Sequence, residues 1–319
     1  MDWTVIGIFL GSMVGTTALG MVSSWVDRKV TARVQYRVGP PLLQPVYDIA
    51  KLLAKETLIS KRAQGRGFLL APVVGFAAAA VAAAILWVAN IRPAGGGFVG
   101  DLIVVIYLLT IPAIAAIYGA MASGAPHAAF GASREMKLLL SYELPLVLAA
   151  LVPILHMSRA AGFGPSFSLG DLVRFQQAGG LFGATLWSAS GFIAFAVALL
   201  CVQAKLTLVP FDLPEAETEL MGGSHLEYSG PPLAMIKLTR MMLLAVAPVF
   251  LVTLFLGGVD SSSVASWVAF IAKYVIVLVL VVLIRNTNPR IRIDQAVRFF
   301  WFGLAPAAAL ALVLAAVGL

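Results

Sequence analysis

The chain is divided into long apolar runs of about twenty residues each, and few folds accommodate them. In lipid every backbone polar group must be paired inside its own segment, so such runs become helices that cross the hydrocarbon. The alternation of apolar and polar residues that membrane-barrel strands require is absent. Composition agrees, with 61% hydrophobic and 12% charged residues and a mean hydropathy of +0.96. A soluble domain is nearer 45–50% apolar and about a quarter charged. The fold class read from these runs is all-α, a polytopic membrane protein of about eight transmembrane helices forming a single transmembrane domain over residues 1–319.

The first run, Trp3–Val26, has no basic segment before it, so it reads as a retained span rather than a cleaved signal. The others fall near 69–90, 101–122, 138–156, 184–206, 233–256, 264–284 and 299–318. The segment His156–Gly180 reads as a loop from Gly162, Gly164, Pro165 and Gly170. In the first connection Val46, Ile49, Ala50 and Leu53 fall on one helical stripe and Asp48, Lys51 and Lys55 on another, which predicts an amphipathic interfacial helix. No period of about 20–50 residues is visible and the halves carry no matching broken helices, which argues against solenoids and inverted-repeat transporters.

Cytoplasmic loops are expected at about 27–68, 123–137, 207–232 and 285–298. They hold or are flanked by Arg28, Lys29, Arg33, Arg37, Lys51, Lys55, Lys61, Arg62 and Arg66, then Arg134 and Lys137, then Lys205 and Lys237, then Arg285, Arg290, Arg292 and Arg298. The opposite side holds only Arg92, Arg159 and Arg174. The positive-inside rule then places both termini outside the cytoplasmic membrane. The pI of 9.7 is on this reading a topology signal, not one for nucleic acid.

Acids concentrate between spans, in VPFDLPEAETELMGGSHLEYSGPP (Val209–Pro232). Asp212, Glu215, Glu217, Glu219 and Glu227 are five of the 15 acidic residues in a chain of net charge +7. Asp212-Leu-Pro-Glu215 reads as a helix start, with Asp212 as N-cap, Pro214 in the first turn and Glu215 closing a capping box. Capping explains Glu219 poorly, since Glu215 and Glu219 at i, i+4 repel on a helix. If that face is buried, their carboxyls titrate high and can relay protons. Glu143, about five residues into a predicted span and followed by Pro145, is an intramembrane acid of the kind that marks an ion path. The alternative for Glu143 is pairing near the interface with Lys137 or an arginine of another helix. Arg285–Arg298, with Asp294, is either a solvated anchor or a set of partners for the acids Glu215, Glu217, Glu219 or Glu227. Cys201 is the single cysteine and lies in an apolar run, so this chain alone holds no cysteine-ligated cluster. His127, His156 and His225 lack the i, i+4 spacing of a helical metal site, and no metal ligands are assigned.

PFDLPEAETEL…EYSG (Pro210–Gly230), SYELPL (Ser141–Leu146), RVGPPLLQPVYDIAKLLAKE (Arg37–Glu56) and NPRIRIDQ (Asn288–Gln295) together resemble the heel subunit of respiratory complex I, its H-type or subunit 1 protein. The order, spacing and number of spans match over essentially the whole chain. QYRVGPPLLQP is several residues shorter than the family's usual first loop, and GASRE in Gly131–Leu140 is nearer to the related subunit of membrane-bound, energy-conserving [NiFe]-hydrogenases. The resemblance therefore leans to the hydrogenase side, with SYELPL nearer to the complex I form.

The resemblance implies a subunit that is not catalytic alone, docks a peripheral electron-transfer arm and couples redox chemistry to proton or sodium movement. It implies an ion path through Glu143, Asp212, Glu215, Glu217, Glu219 and Glu227. It implies a cavity and docking surface from Arg28, Arg33, Arg37, Gln44, Asp48, Lys51, Glu56, Arg134, Glu135, Arg290, Arg292 and Asp294. Iron–sulfur clusters and nickel–iron (or flavin) centres would sit in partner subunits, large and small hydrogenase-like or quinone-reductase-like proteins, beside antiporter-like membrane subunits. In the hydrogenase reading electrons go to protons in the arm; in the alternative this chain frames the quinone site of an NADH or ferredoxin:quinone oxidoreductase. A standalone transporter would need a substrate site between repeats, and a passive anchor would not need Glu143.

Overall fold

The computed structural model describes residues 3–93, 98–160, 164–180, 182–260 and 263–318, with backbone alone for residues 3–5, 8, 217 and 218. Among the described residues the chain is built of helices without a strand: α1 (Trp3–Val34), α2 (Gln44–Leu53), α3 (Gly65–Ile91), α4 (Asp101–Leu108), α5 (Ile111–Ala122), α6 (Pro126–Arg159), α7 (Leu169–Ala178), α8 (Ala189–Lys205), α9 (Glu217–Leu220), α10 (Gly230–Phe255), α11 (Val264–Thr287), α12 (Ile293–Arg298) and α13 (Ala305–Val317). Seven stretches are long and apolar enough to cross a membrane, and α8 is a shorter apolar helix of 17 residues. The protein is a polytopic helical membrane protein.

Helix ends depart from the apolar edges. Helix α1 runs on through the basic segment to Val34, so Arg28 and Arg33 are helical and not in a loop. Helix α6 starts at Pro126, which places Arg134, Glu135 and Lys137 on its early turns rather than in the expected 123–137 loop. Glu143 consequently lies halfway along a 34-residue helix, not five residues from an end. The 101–122 span is two helices that meet at Leu109–Thr110, where Pro112 opens the second. Helix α8 begins at Ala189, capped by Ser188 accepting from the Gly191 amide at 3.0 Å, so residues 184–188 lie outside it. The loop expected over His156–Gly180 contains α7.

Burial decides which helix is central. In α10 89% of the apolar window is buried, against 33% in α11 and 28% in the last span, which present their apolar side chains outward from the bundle. Helix α10 packs on α1 and α3, α3 on α5, and α6 on α8, α13 and α5. Lipid is as apolar as leucine, so close backbone approach rather than hydrophobic exclusion holds such helices together. Gly20 shows why: a Cβ there would lie 2.4 Å from the Met241 carbonyl oxygen, so α1 meets α10 only with glycine. Helix α3 uses buried Ala79, Ala82 and Ala83 for the same purpose.

At the end of the bundle away from the acidic loop, buried amides are fully paired. Asn90 donates to Thr253 Oγ1 and the Leu86 carbonyl, each at 2.8 Å, and accepts from the Val259 amide at 3.0 Å. Gln176 donates to Thr185 Oγ1 at 2.5 Å and to the Leu254 carbonyl at 2.8 Å, and accepts from the amides of Ala184 and Thr185. Between α12 and α13, Phe299–Leu304 forms a π-helical turn whose Phe300 is fully buried.

Candidate functional site

The acidic stretch folds as a compact loop lodged in the basic end of the bundle, with no helix starting at Asp212. Phe211 anchors it, 1% exposed, with its ring 4.9 Å from that of Phe300. Tyr228 anchors the far end by stacking on Phe68 at 4.0 Å and donating to the Phe68 carbonyl at 3.0 Å. Gly223 makes the sharp return, at φ +52°, where a Cβ would fall 1.8 Å from the Pro214 carbonyl oxygen. Its position against α6 needs Gly131, whose Cβ would meet the Ser224 amide nitrogen at 2.6 Å.

The expected capping by Asp212 and Glu215 is replaced by ion pairing. Asp212 accepts from Arg290 at 2.7 Å. Glu215 faces inward, 17% exposed at its side chain, pairing with Arg240 and accepting from His225 Nε2 at 2.9 Å. Glu219 is not on a helix face with Glu215; it points outward and pairs with Arg134 at 2.5 Å. The i, i+4 repulsion expected of these acids therefore does not arise, because Glu215 sits in a turn ahead of α9, which begins only at Glu217. Glu217 belongs to α9, but its side chain lies outside the described residues. Glu227 is half-buried, with no ion pair among the described residues.

The C-terminal arginines take other partners than expected. Arg290 holds Asp212, and Arg285 pairs with Asp27 of α1. Arg292 and Asp294 stay exposed at the start of α12, where the Arg292 amide donates to Gln295 Oε1 at 3.1 Å. In the first connection Arg28 donates to Asp48 at 2.7 Å and Gln44 to the same carboxylate at 2.9 Å, tying α2 to α1. Pro45 and Ile49 face the bundle, while Val46, Ala50 and Leu53 of the expected apolar stripe are exposed. Arg33, Arg37, Lys51 and Glu56 are exposed. Glu135 departs from the docking surface expected for it: it is 6% exposed and turns into the bundle, back to back with half-exposed Arg134.

Two cavities meet at this loop. A chamber of about 490 Å³ lies between α1, α10 and the loop, with Asp27, Arg28, Asp212, Lys237, Arg285 and Arg290 on its walls beside Leu208, Met241 and Leu244. A smaller cavity of about 70 Å³ reaches deeper, to Glu135, Lys205, His225, Tyr228 and Thr239. Glu215 and Arg240 line both. Deeper still, Lys205 lies with its ammonium 5.5 Å from the centre of the Tyr142 ring, beside Glu143.

Burial governs the titration of the loop. It pushes His225 down to about 4, against the pull of Glu135, so the imidazole is neutral and donates its Nε2 proton to Glu215. Burial raises the Asp212 carboxyl despite Arg290, Arg240 and Arg285. Burial also raises Tyr228. On the more open α2 the Arg28 hydrogen bond prevails and lowers Asp48. Sequence reading missed Lys205, Arg240, His225 and Asp27 as parts of one site. The available signal was a cation inside or at the edge of an apolar run, which Lys205 and Arg240 both give.

A family model described as NADH dehydrogenase matches residues 6–316. The chain is 35% identical to the H-type subunit of the NADH-quinone oxidoreductase of Thermomicrobium roseum, over 97% of its length and 95% of that protein. It is also 35% identical to the equivalent protein of Brevibacillus brevis, over 92% and 86% of the two chains. Among solved structures it superposes on a chain of the membrane-bound sulfane sulfur reductase, an archaeal respiratory membrane complex, with a TM-score of 0.81 and 27% identity over 98% and 99% of the two chains.

Proposed function

The chain belongs to the NADH dehydrogenase family of complex I-type membrane proteins, and on that premise we propose that it docks a peripheral electron-transfer arm, frames a quinone chamber beneath it and couples electron transfer to ion movement. The observation that carries this reading is the adjacency of the two cavities across Glu215 and Arg240. The larger chamber has an apolar wall from Leu208, Met241 and Leu244 facing a wall of ion-paired side chains, which suits a flat ring with polar oxygens. A quinone bound there would take up two electrons and two protons on reduction. Asp212 with Arg290 and Glu215 with Arg240 and His225 stand where that change of charge would be felt. Electrostatics in a site shielded from water is strong enough to transmit it. Glu135 and Glu143 then continue the acid route into the membrane.

The lean towards a hydrogenase finds no support in the names of the curated relatives, which favour the quinone reading. The iron–sulfur clusters and the electron-input site are assigned to partner subunits of the arm, with further membrane subunits at the side. The lysines and arginines of the basic end support a cytoplasmic position for it. A second reading, an arm that reduces another acceptor, is favoured by the short first loop and by the likeness to the sulfur-reductase chain. The experiment is purification of the intact complex in mild detergent, with partners identified by mass spectrometry and quinone reduction assayed. Flavin- or ferredoxin-oxidising partners with inhibitor-sensitive quinone reduction are expected. A nickel-containing large subunit without quinone reduction would overturn the reading.

A further inference from the structure

Lys205 is the buried ion that neither docking nor the quinone chamber uses. It is 6% exposed, at the end of α8, and its ammonium has no hydrogen-bond partner among the described residues. The Tyr142 hydroxyl and Glu143 Oε1 beside it are likewise buried and unpartnered. Three polar groups left dry together would be a heavy cost, and intramembrane ions usually mark a pathway. The cavity of about 70 Å³ that Lys205 lines with Glu135 and Glu215 is large enough for several waters.

Position gives Lys205 its task. Glu135 and Glu143 are eight residues apart on α6, about 12 Å along its axis at 1.5 Å per residue, too far for a direct proton transfer. Lys205 touches the cavity that contains Glu135 and also faces Tyr142 and Glu143. Its flexible four-carbon stem can carry the ammonium between the two.

We propose that Lys205 passes protons between the inner cavity and Glu143. The proposal rests on the reading of the chain as a coupling subunit. In the step, one N–H of the ammonium goes to the Glu143 carboxylate, leaving a neutral amine and a carboxylic acid. The amine then takes a proton from the Glu135 carboxyl through cavity water, which restores the ammonium and leaves a carboxylate; no electrons change hands.

The test uses the intact complex in sealed vesicles, as wild type, Lys205→Met and Lys205→Arg. Arginine keeps the charge and bulk but does not release a proton, so it would rescue a structural role and not a relay. In both variants protons moved per electron transferred are expected to fall by ~10²-fold, the low end of what a positioned proton carrier contributes. A wild-type proton ratio in either variant would overturn the proposal. A wild type that pumps protons without reducing quinone overturns the quinone reading alone; one that moves no ion overturns both.

Discussion

Glu215 and Arg240 are paired at the boundary of two cavities, the carboxylate supplied by the loop before α10 and the guanidinium by α10 itself. The pair binds the acidic loop to the central helix and divides an open, charged chamber from a buried one. Arg240→Gln removes the cation and leaves Glu215 with His225 alone. Because the Arg240 side chain is 40% exposed to the chamber, the stability lost is set by a screened pair, ~1 kcal/mol. A melting temperature in detergent near that of the wild type, together with a clear loss of redox-driven pumping, is the expected pattern. Unimpaired pumping would show that the boundary is structural only.

His225 should be neutral throughout the physiological range. Its folded value of about 4 lies below the ~6.5 of an unfolded imidazole, so protonation favours the unfolded chain. The stability it contributes is complete above about pH 6.5 and is lost as pH falls from there to about 4. Thermal melts of wild type and His225→Gln across that window check it: the wild type should weaken on acidification more than the variant. Parallel curves would show that His225 is not desolvated.

Asp212 tests whether pairing outweighs burial. Burial raises its carboxyl even with three arginines near, so the charged form is not favoured by the site. The sign follows: a raised folded value costs stability as pH rises through it. Asp212→Asn is therefore expected to leave the melting temperature unchanged or slightly higher, while weakening the link to Arg290 and hence the coupling. A large drop in stability would show that the pair dominates.

Gly223→Ala should be the most damaging small change in the loop. The added Cβ would meet the Pro214 carbonyl at 1.8 Å, a backbone atom that has no rotamer to yield, at a positive φ that alanine disfavours. Loss of the assembled complex on native gels, compared with a conservative change at exposed Met221, is the expected readout.

The bundle was legible because hydrocarbon demands long apolar runs, and the seven candidate spans and the shorter apolar α8 among the described residues all fall on runs visible in the sequence. Helix ends were not, since hydropathy marks the edge of the membrane and not the end of the helix. Helix α1 continues through DRKVTARV until Tyr36 turns left-handed at φ +57°, and α6 starts at Pro126, well before its apolar segment. The acids of the loop were legible as a cluster, but their partners were not. Asp27 meets Arg285 across 258 positions, and no local spacing foretells that. The capping motif at Asp212 misled because its residues suit a helix start equally well, and tertiary pairing with Arg290 and Arg240 prevailed.

The network of Asn90 and Gln176 has an electrical consequence. Both cavities are lined by residues of the acidic loop, and at the other end Asn90 and Gln176 are satisfied by Thr253, Thr185 and backbone groups rather than by a cavity. If water fills the cavities from the loop side, the membrane voltage is expected to drop mainly across the more tightly paired end of the bundle. A charge moving from the loop to Glu143 does only a fraction of the ~2.3 kcal/mol of work per 100 mV that a full crossing requires. Most of the voltage remains for whatever step carries the charge past α6.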